Sequence, residues 1–252
     1  MSFRTIIIKN RSKLEYSLNY LICRKENEVI RIPLDEIRTV VIDTVEVSMT
    51  AYLLVECMKK KIKLIFTDVE HNPIGEAMPY QNNFYSYRHI KEQLAFTEES
   101  KQFLWGKIIE RKIENQAKNL KLKNLTEQFE KLENYQKEIQ DGDSTNREGH
   151  AAKVYFNSLF GKDFSRDDNT IIYNKYLNYG YSILLSSINR EIKALGYLTE
   201  LGIHHIGESN PFNLSCDLME PLRPLVDLLV INNKVDENNY RTEFIKMLSN
   251  DV

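Results

Sequence analysis

The pattern of hydrophobic and polar positions changes about a third of the way along the chain. Up to residue 78, short runs rich in β-branched residues alternate with polar breaks, which is typical of strands and hairpins. The predicted strands are Arg4 to Lys9, Leu14 to Cys23, Val29 to Leu34, Ile37 to Asp43 and Lys63 to Thr67. One helix is predicted before the last of these, with Ser48 as its N-cap. Its apolar positions recur at helical spacing and are Met49, Tyr52, Leu53 and Cys57.

From residue 89 onward the apolar positions follow a helical period. The first stripe consists of Trp105, Ile109, Ile113, Ala117 and Leu120. A second amphipathic helix is predicted over Leu125 to Ile139, and the segment Asp168 to Thr199, apolar on several sides, predicts a buried central helix in which Gly180 permits a close neighbour. The sequence therefore predicts an α+β protein. Residues 1–78 form a small β-rich N-terminal domain, residues 79–88 a linker, and residues 89–252 a larger all-α domain.

Composition excludes several classes of protein. The chain has 252 residues, of which 42% are hydrophobic and 28% charged, the balance of a globular protein. Its formal net charge of −2 does not indicate a nucleic-acid or membrane binder. No stretch is apolar enough for a membrane span. The three cysteines are odd in number and far apart, so neither a disulfide framework nor a thiolate zinc site is expected. This use of cysteine predicts a cytoplasmic location.

Charge is nevertheless concentrated locally. Residues 101–125 carry seven basic and two acidic side chains, and Lys107, Arg111 and Lys118 fall on one helical face. Such a face can follow a phosphate backbone, but it is more typical of an ordinary solvated helix. Residues 199–252 carry nine acids against four bases, which is compatible with a protein partner.

Three neighbourhoods contain candidate chemistry, and the first surrounds Glu148. Thr145 and Glu148 match a capping box, in which the glutamate only closes the end of a helix. Glu148 also heads the stripe expected to face the core, whose later members are Ala152, Tyr155 and Leu159. In that second interpretation the carboxylate is buried and must find a cation, a hydrogen-bond network or a proton.

The second neighbourhood is the pair His204 and His205, which lies between Gly202 and Gly207. Adjacent side chains cannot share one face of a regular element, so at most one histidine of the pair is expected to act in a common site. The flanking glycines favour a loop between helices, where functional sites are often built.

The third neighbourhood contains Asp217 and Glu220, whose spacing directs both side chains to one face of a helix start. Pro221 and Pro224 require that start to lie nearby, because each is costly deep inside a helix. The structural alternative makes Asp217 a cap, Glu220 its capping-box partner and Arg223 a surface ion partner. Together the three neighbourhoods offer two carboxylates and an imidazole, which suit Mg²⁺ or Mn²⁺ better than a closed zinc site. Spacing alone does not establish that they converge.

The ordered set of motifs resembles a known family. The motifs are Glu148-Gly-His-Ala-Ala-Lys-Val-Tyr-Phe156, Asn178-Tyr-Gly-Tyr181, Leu201-Gly-Ile-His-His205 and Asn213-Leu-Ser-Cys-Asp-Leu-Met-Glu-Pro221 followed by Arg223-Pro224. In this order they resemble the CRISPR-associated endonuclease that acts as the spacer-acquisition integrase, particularly its type II form. The resemblance covers nearly the whole chain. It implies a small N-terminal β-rich domain that mediates a homodimer and a larger helical catalytic domain.

The resemblance also implies a set of site residues. Glu148, His205 and Glu220 match the catalytic ligands of a Mg²⁺ or Mn²⁺ ion, although many relatives have Asp at the third position. Asp217 matches a nearby acidic position, and we expect it to act through a ligand rather than as one. His204 is left as a structural or DNA-facing neighbour.

The activity implied is insertion of short prespacer DNA into the CRISPR repeat array, by attack of a free 3′-hydroxyl on a phosphodiester. The implied partners are double-stranded DNA, a second copy of the chain and the small second CRISPR adaptation protein in a larger complex. Lys107, Arg111 and Lys118 are the predicted DNA-binding residues. Two alternatives stay open, namely a stand-alone structure-selective DNA nuclease in repair or recombination, and a non-catalytic DNA-binding scaffold in which Glu148 and Glu220 only cap helices.

Overall fold

The chain has a strand-rich N-terminal part and a mostly helical remainder, as the α+β prediction states. A computed structural model describes residues 4–69, 71, 73–77, 79, 86–168 and 170–247. It divides the chain into an N-terminal unit (residues 1–82 with 245–252) and a helical unit (residues 83–244). The first boundary falls within the predicted linker, of which residues 80–85 lie outside the described residues. In the described part of the chain, no helix has the length and apolarity needed to cross a membrane.

In the described residues of the N-terminal unit, the strands form two four-stranded sheets and are accompanied by one α-helix before residue 82. The strands are β1 (Arg4–Ile8), β2 (Ser12–Ser17), β3 (Tyr20–Arg24), β4 (Val29–Pro33), β5 (Ile37–Ile42), β6 (Val47–Met49), β7 (Lys63–Thr67) and β8 (Pro73–Ala77), and the helix is α1 (Ala51–Lys59). One sheet has the order β1-β5-β7-β8 and is parallel except for β8; the other has the order β4-β3-β2-β6, with β2 parallel to β6. The alternation of strands and polar breaks along the sequence does not by itself predict this division into two sheets.

Two local predictions for the N-terminal unit are corrected. The predicted strand Leu14 to Cys23 is a hairpin, because Leu18 and Asn19 both adopt positive φ (48° and 66°), the backbone of a tight primed turn. The N-cap of α1 is Thr50 rather than Ser48, since the Thr50 side chain accepts the backbone N–H of residue 53 at 3.3 Å. The core between these elements is apolar and contains Leu14, Leu21, Val40, Leu53 and Leu64.

Helices make up most of the chain after residue 83. They are α2 (Ser86–Leu94), α3 (Glu98–Leu122), α4 (Thr126–Lys137), α5 (Arg147–Phe160), α6 (Ile172–Ala194), α7 (Asn213–Met219), α8 (Arg223–Ile231) and α9 (Tyr240–Met247). A 3₁₀ turn over Glu220–Leu222 joins α7 to α8. The predicted central helix is shorter at both ends than Asp168 to Thr199, and Gly196 follows it with a φ of 83°.

Helix α3 is the long helix on which much of the helical core is built. Its predicted apolar stripe is confirmed, since the side chains of Trp105, Ile109, Ile113, Ala117 and Leu120 are all buried. Gly180 of α6 confirms the predicted close approach, because a Cβ there would lie 2.5 Å from the Val226 side chain. The buried stripe of α3 also includes one lysine, Lys112, and that lysine positions the candidate site.

Candidate active site

Lys112 brings together the two carboxylates that the sequence predicts as ligands. Its Nζ lies 2.5 Å from Oε1 of Glu148 and 2.5 Å from Oε2 of Glu220. The Lys112 side chain is 10% exposed, that of Glu220 6% and that of Glu148 31%. A buried ammonium requires anionic partners, and here both partners come from distant parts of the sequence. Glu148 and Glu220 therefore converge on one cation.

Glu148 is free to reach Lys112 because other side chains cap its helix. The Oδ1 of Asn146, which has a φ of 52°, accepts the backbone N–H of residue 149, and Asp143 accepts those of residues 147 and 148 at 2.8 and 2.9 Å. The predicted capping box of Thr145 and Glu148 is thus wrong. The Glu148 side chain instead extends from the first turn of α5 to α3.

Glu220 occupies the 3₁₀ turn between α7 and α8 and is held from two sides. Its Oε1 accepts a hydrogen bond from the Arg223 guanidinium at 2.8 Å, and its Oε2 faces Lys112. Burial alone would raise the pKa of Glu220, but the charges of Lys112 and Arg223 outweigh burial and hold that pKa below its ordinary value. Pairing of Arg223 with Glu220 is confirmed, although Glu220 is buried and Arg223 only partly exposed. Glu220 is therefore an ionised carboxylate.

Asp217 is fully buried and organises the histidine loop. It accepts backbone N–H groups from three consecutive residues, 203 to 205, at 2.5, 3.1 and 3.1 Å. It also accepts the Nδ1–H of His205 at 2.6 Å. The predicted alternative of a helix cap is wrong, because Asp217 lies inside α7 and serves a different segment.

The Asp217 contact determines how His205 presents its ring. When the ring is neutral and Nδ1–H donates to the Asp217 carboxylate, Nε2 is the nitrogen with a lone pair. The hydrogen bond to Asp217 raises the pKa of His205 above its ordinary value, and burial opposes that shift only in part. His205 is thereby oriented in the manner of metal-binding histidines, whose second nitrogen is held by a carboxylate.

Gly202 makes the tight packing of this loop possible. A Cβ at Gly202 would lie 2.1 Å from the carbonyl oxygen of His205 and 3.0 Å from Oδ2 of Asp217, so no larger side chain fits. Asn213 closes the same loop by donating its amide to the carbonyls of residues 200 and 207 at 3.1 and 2.9 Å. The prediction that His204 and His205 lie in a loop between helices is confirmed. Gly202 allows the close packing of this loop, and Asn213 holds it by hydrogen bonds.

His204 has a packing role in this structure. Its ring stacks on Trp105 of α3 with centroids 4.0 Å apart and planes 5° apart. Trp105 also meets His205 edge to face at 5.9 Å. A cavity of about 810 Å³ opens beside His205, and its lining includes the apolar side chains of Phe96, Leu104 and Leu218. The imidazole is therefore within reach of a ligand from that side.

The predicted basic face of α3 is exposed but internally paired. Lys107 contacts Glu110 at 2.7 Å, Lys118 contacts Glu114 at 2.7 Å, and Arg111 also pairs with Glu114. Exposed pairs of this kind are weak, so the three cations remain available to a stronger anionic ligand. DNA binding by this face stays a prediction.

Sequence reasoning missed Lys112 and a second buried cluster behind the site. Lys112 lies three residues after Ile109, which places it on the core side of α3. A charged residue at this spacing in an apolar stripe indicates a buried lysine that needs anionic partners. In the second cluster, Asp227 is buried and accepts the hydroxyl of Tyr181 at 2.5 Å, and Tyr155 lies beside it. Burial raises the pKa of Asp227 to about 6.

The carboxylates of Glu148 and Glu220 are neutralised by a lysine in this structure. Within the described ranges, no three His, Cys, Asp or Glu side chains are gathered into a group that would hold a metal ion. The cation between Glu148 and Glu220 is the ammonium of Lys112. The fold and site thus define a two-part α+β protein whose helical part carries an acidic cluster with an oriented imidazole.

Comparison with known proteins identifies the family. A family model described as CRISPR associated protein Cas1 matches residues 5–249. The chain is also 36% identical over 232 residues to the CRISPR-associated endonuclease Cas1 of Neisseria meningitidis serogroup C, an alignment that spans 92% of this chain and 76% of that protein. The chain belongs to the Cas1 family, which confirms the resemblance seen in its motifs.

Solved structures share the fold. A Cas1 protein from Thermotoga maritima is similar with a TM-score of 0.75 at 18% identity, covering 96% of this chain and 88% of that one. A chain of a Cas6-RT-Cas1–Cas2 complex gives 0.73 at 19% identity, covering 97% and 32%. A casposase bound to integration product gives 0.73 at 17% identity, covering 99% and 82%. At these identities the likeness concerns the fold alone.

Proposed function

We propose that this chain is the metal-dependent endonuclease and integrase of CRISPR adaptation, which inserts short prespacer DNA into the repeat array. The observation that carries the proposal is the convergence of Glu148 and Glu220 on one cation, each at 2.5 Å, in the same site as His205. Membership of the Cas1 family supports the reaction class, and the fold shared with the casposase is consistent with it.

The side chains fit a hard divalent cation such as Mg²⁺ or Mn²⁺. Glu148 and Glu220 supply carboxylate oxygens already aimed at a positive charge, and His205 supplies an imidazole whose Nδ1 is held by Asp217. When bound, such an ion lowers the pKa of an attacking 3′-hydroxyl and offsets negative charge on the phosphate.

The remaining residues of the site position these three. Asp217 fixes the ring orientation of His205 and the backbone of its loop at the same time. Arg223 binds one oxygen of Glu220 and leaves the other directed at the cation position. Through these contacts Asp217 and Arg223 orient His205 and Glu220 before DNA arrives.

DNA and protein partners are part of the same proposal. Lys107, Arg111 and Lys118 would follow the phosphate backbone of the prespacer or the repeat. One structural neighbour is part of a complex that contains Cas1 and Cas2, and we propose that this chain likewise works with Cas2. We propose that the N-terminal unit forms a homodimer, because in its described residues β4 and β6 are sheet edges that pairing can cover.

A strand-transfer assay tests the proposal. A short duplex with 3′-hydroxyl ends should be joined to a plasmid that carries the repeat when Mn²⁺ or Mg²⁺ is present, and a chelator should abolish joining. A duplex with 3′-dideoxy ends serves as the matched substrate control. Cleavage without joining would instead favour a stand-alone nuclease, and binding without either reaction would favour a scaffold.

A further inference from the structure

Lys112 occupies the place between the two carboxylates that a divalent ion would need. We propose that the Lys112 ammonium is an exchangeable counter-cation, which holds Glu148 and Glu220 together in the metal-free protein and is displaced when a divalent ion loads. This inference rests on the proposed function in one respect, since it takes the site to be one that binds such an ion. It adds that the protein carries its own competitor for the ion.

Geometry makes the two cations mutually exclusive. The Lys112 nitrogen lies 2.5 Å from one oxygen of each carboxylate. Mg²⁺ binds carboxylate oxygens at about 2.0 to 2.1 Å, so an ion shared by the same two oxygens would fall close to the position of that nitrogen. The ammonium and such an ion would therefore overlap in space, and in a largely buried site their repulsion is strong.

The contact of Glu220 with Lys112 is one that an ion can replace. Oε2 of Glu220 meets the Lys112 ammonium at 2.5 Å, in a contact that combines the attraction of opposite charges with a hydrogen bond. A divalent ion offers the same oxygen a larger positive charge. Arg223 holds the other oxygen through a directed hydrogen bond at 2.8 Å, which an ion at Oε2 leaves intact.

The structure also provides a way out for the ammonium. The Glu148 side chain is 31% exposed, whereas that of Glu220 is 6% exposed, so the site opens towards solvent on the Glu148 side. A lysine carries its charge on four rotatable carbons, and Nζ can move towards water without any shift of α3. The apolar neighbours Ile109 and Ile113 stay buried and keep the helix in place.

The first experiment measures Mn²⁺ binding by isothermal titration calorimetry. Lys112→Met keeps much of the length of the side chain and removes the charge, so it should bind Mn²⁺ at least about tenfold more tightly than the parent protein. In the absence of metal the same variant should melt at a lower temperature, because the two carboxylates then lack their counter-cation. Lys121→Met, an exposed position on the same helix, should match the parent in both measurements.

Equal or weaker Mn²⁺ binding by Lys112→Met would overturn the proposal. The metal site itself is tested separately by Glu148→Gln, which should lose Mn²⁺ binding. If the parent and Lys112→Met both fail to bind Mn²⁺, the proposed function is wrong as well. If Lys112→Met alone binds it, the competitor role is supported.

A second measurement uses the unaltered protein and does not depend on the variant folding. Amine acylation followed by peptide mass spectrometry should show Lys112 protected without metal and several-fold more reactive with saturating Mn²⁺, because the ammonium leaves the carboxylates. Lys121 should react equally in both conditions. A Lys112 reactivity that is unchanged or lower with Mn²⁺ contradicts displacement.

Discussion

Two buried acidic clusters lie within one stretch of the helical unit, and their partners differ. Glu220 faces the cations Lys112 and Arg223, and its pKa lies below its ordinary value despite burial. Asp227, one helix further on, is fully buried beside the hydroxyls of Tyr155 and Tyr181, and burial raises its pKa to about 6. The pKa of a buried carboxyl is therefore lowered in one cluster and raised in the other.

This difference separates the carboxylate that we propose as a metal ligand from one that stabilises the core. Full charges offset the cost of burying Glu220, and a charged oxygen is what a cation-dependent site needs. Hydroxyl donors offset less, so Asp227 holds its proton more readily and serves the core. Arg223 links the clusters, since its guanidinium binds Glu220 at 2.8 Å and lies 4.2 Å from the centre of the Tyr181 ring.

The largest expected effect is the loss of charge in the first cluster. Glu220→Gln should abolish strand transfer, because a neutral amide attracts a divalent ion far less than a carboxylate does. The amide also leaves the charges of Lys112 and Arg223 without their anionic partner. Single-turnover joining of a 3′-hydroxyl duplex at saturating Mn²⁺ measures this. Glu130→Gln, an exposed position on α4, should join DNA at the parent rate. Parental activity in Glu220→Gln would remove the distinction between the clusters.

A change in the second cluster should appear in stability rather than in chemistry. Because the folded pKa of Asp227 is about 6, above its ordinary 3.8, the folded chain keeps a proton that the unfolded chain has lost between these values. The contribution of Asp227 to the free energy of unfolding is thus highest in acid and falls as pH rises through about 6. The expected fall is on the order of 3 kcal/mol.

Urea unfolding from pH 4 to pH 8 checks this contribution. The free energy of unfolding of the parent, minus that of Asp227→Asn, should decrease over this range, because the variant has no group to titrate there. A parent-minus-variant difference that increases with pH would mean that Asp227 is held as a charged group like Glu220.

Asp217 belongs to neither cluster, and we expect it to position His205 rather than to bind the metal ion itself. Asp217→Asn should reduce strand transfer by about 10- to 100-fold, the usual cost of losing the partner of a ligating histidine. The amide can still accept some of the three backbone N–H groups, so the loop of residues 203–205 should persist. If Asp217→Asn has no strand-transfer activity while Glu220→Gln remains active, then Asp217 is the metal ligand and Glu220 the positioning residue.

Much of the helical unit could be predicted because helical periodicity is a local signal. The stripe from Trp105 to Leu120 and the need for Gly180 both follow from neighbouring residues. The pairing of β1 with β5 joins residues far apart in sequence, and the turn at Leu18 and Asn19 has no glycine to mark it, so neither was predicted.

The sequence allowed us to predict the acidic residues of the site but not Lys112, the cation between them. Glu148, His205 and Glu220 stand in motifs with recognisable neighbours, whereas Lys112 is one of seven basic residues in a basic segment. Its burial depends on Glu148, which is 36 residues further along, and on Glu220, which is still more distant. No local pattern carries that information, because the contacts exist only once α3, α5 and the 3₁₀ turn have packed.

The smallest expected effect concerns the exposed charges of α3, which contrast with the buried charge of Lys112 on the same helix. Charge reversal at Lys107, Arg111 and Lys118 should weaken DNA binding for all sequences alike, because phosphate contacts carry no base information. The slope of log affinity against log salt concentration should decrease by about 1 for each contact removed. Mn²⁺ binding should be unchanged, since these exposed side chains pair with Glu110 and Glu114 rather than with Glu148 or Glu220. Fluorescence anisotropy over a series of salt concentrations measures both quantities, and an unaltered slope would make this face of α3 an ordinary solvated surface.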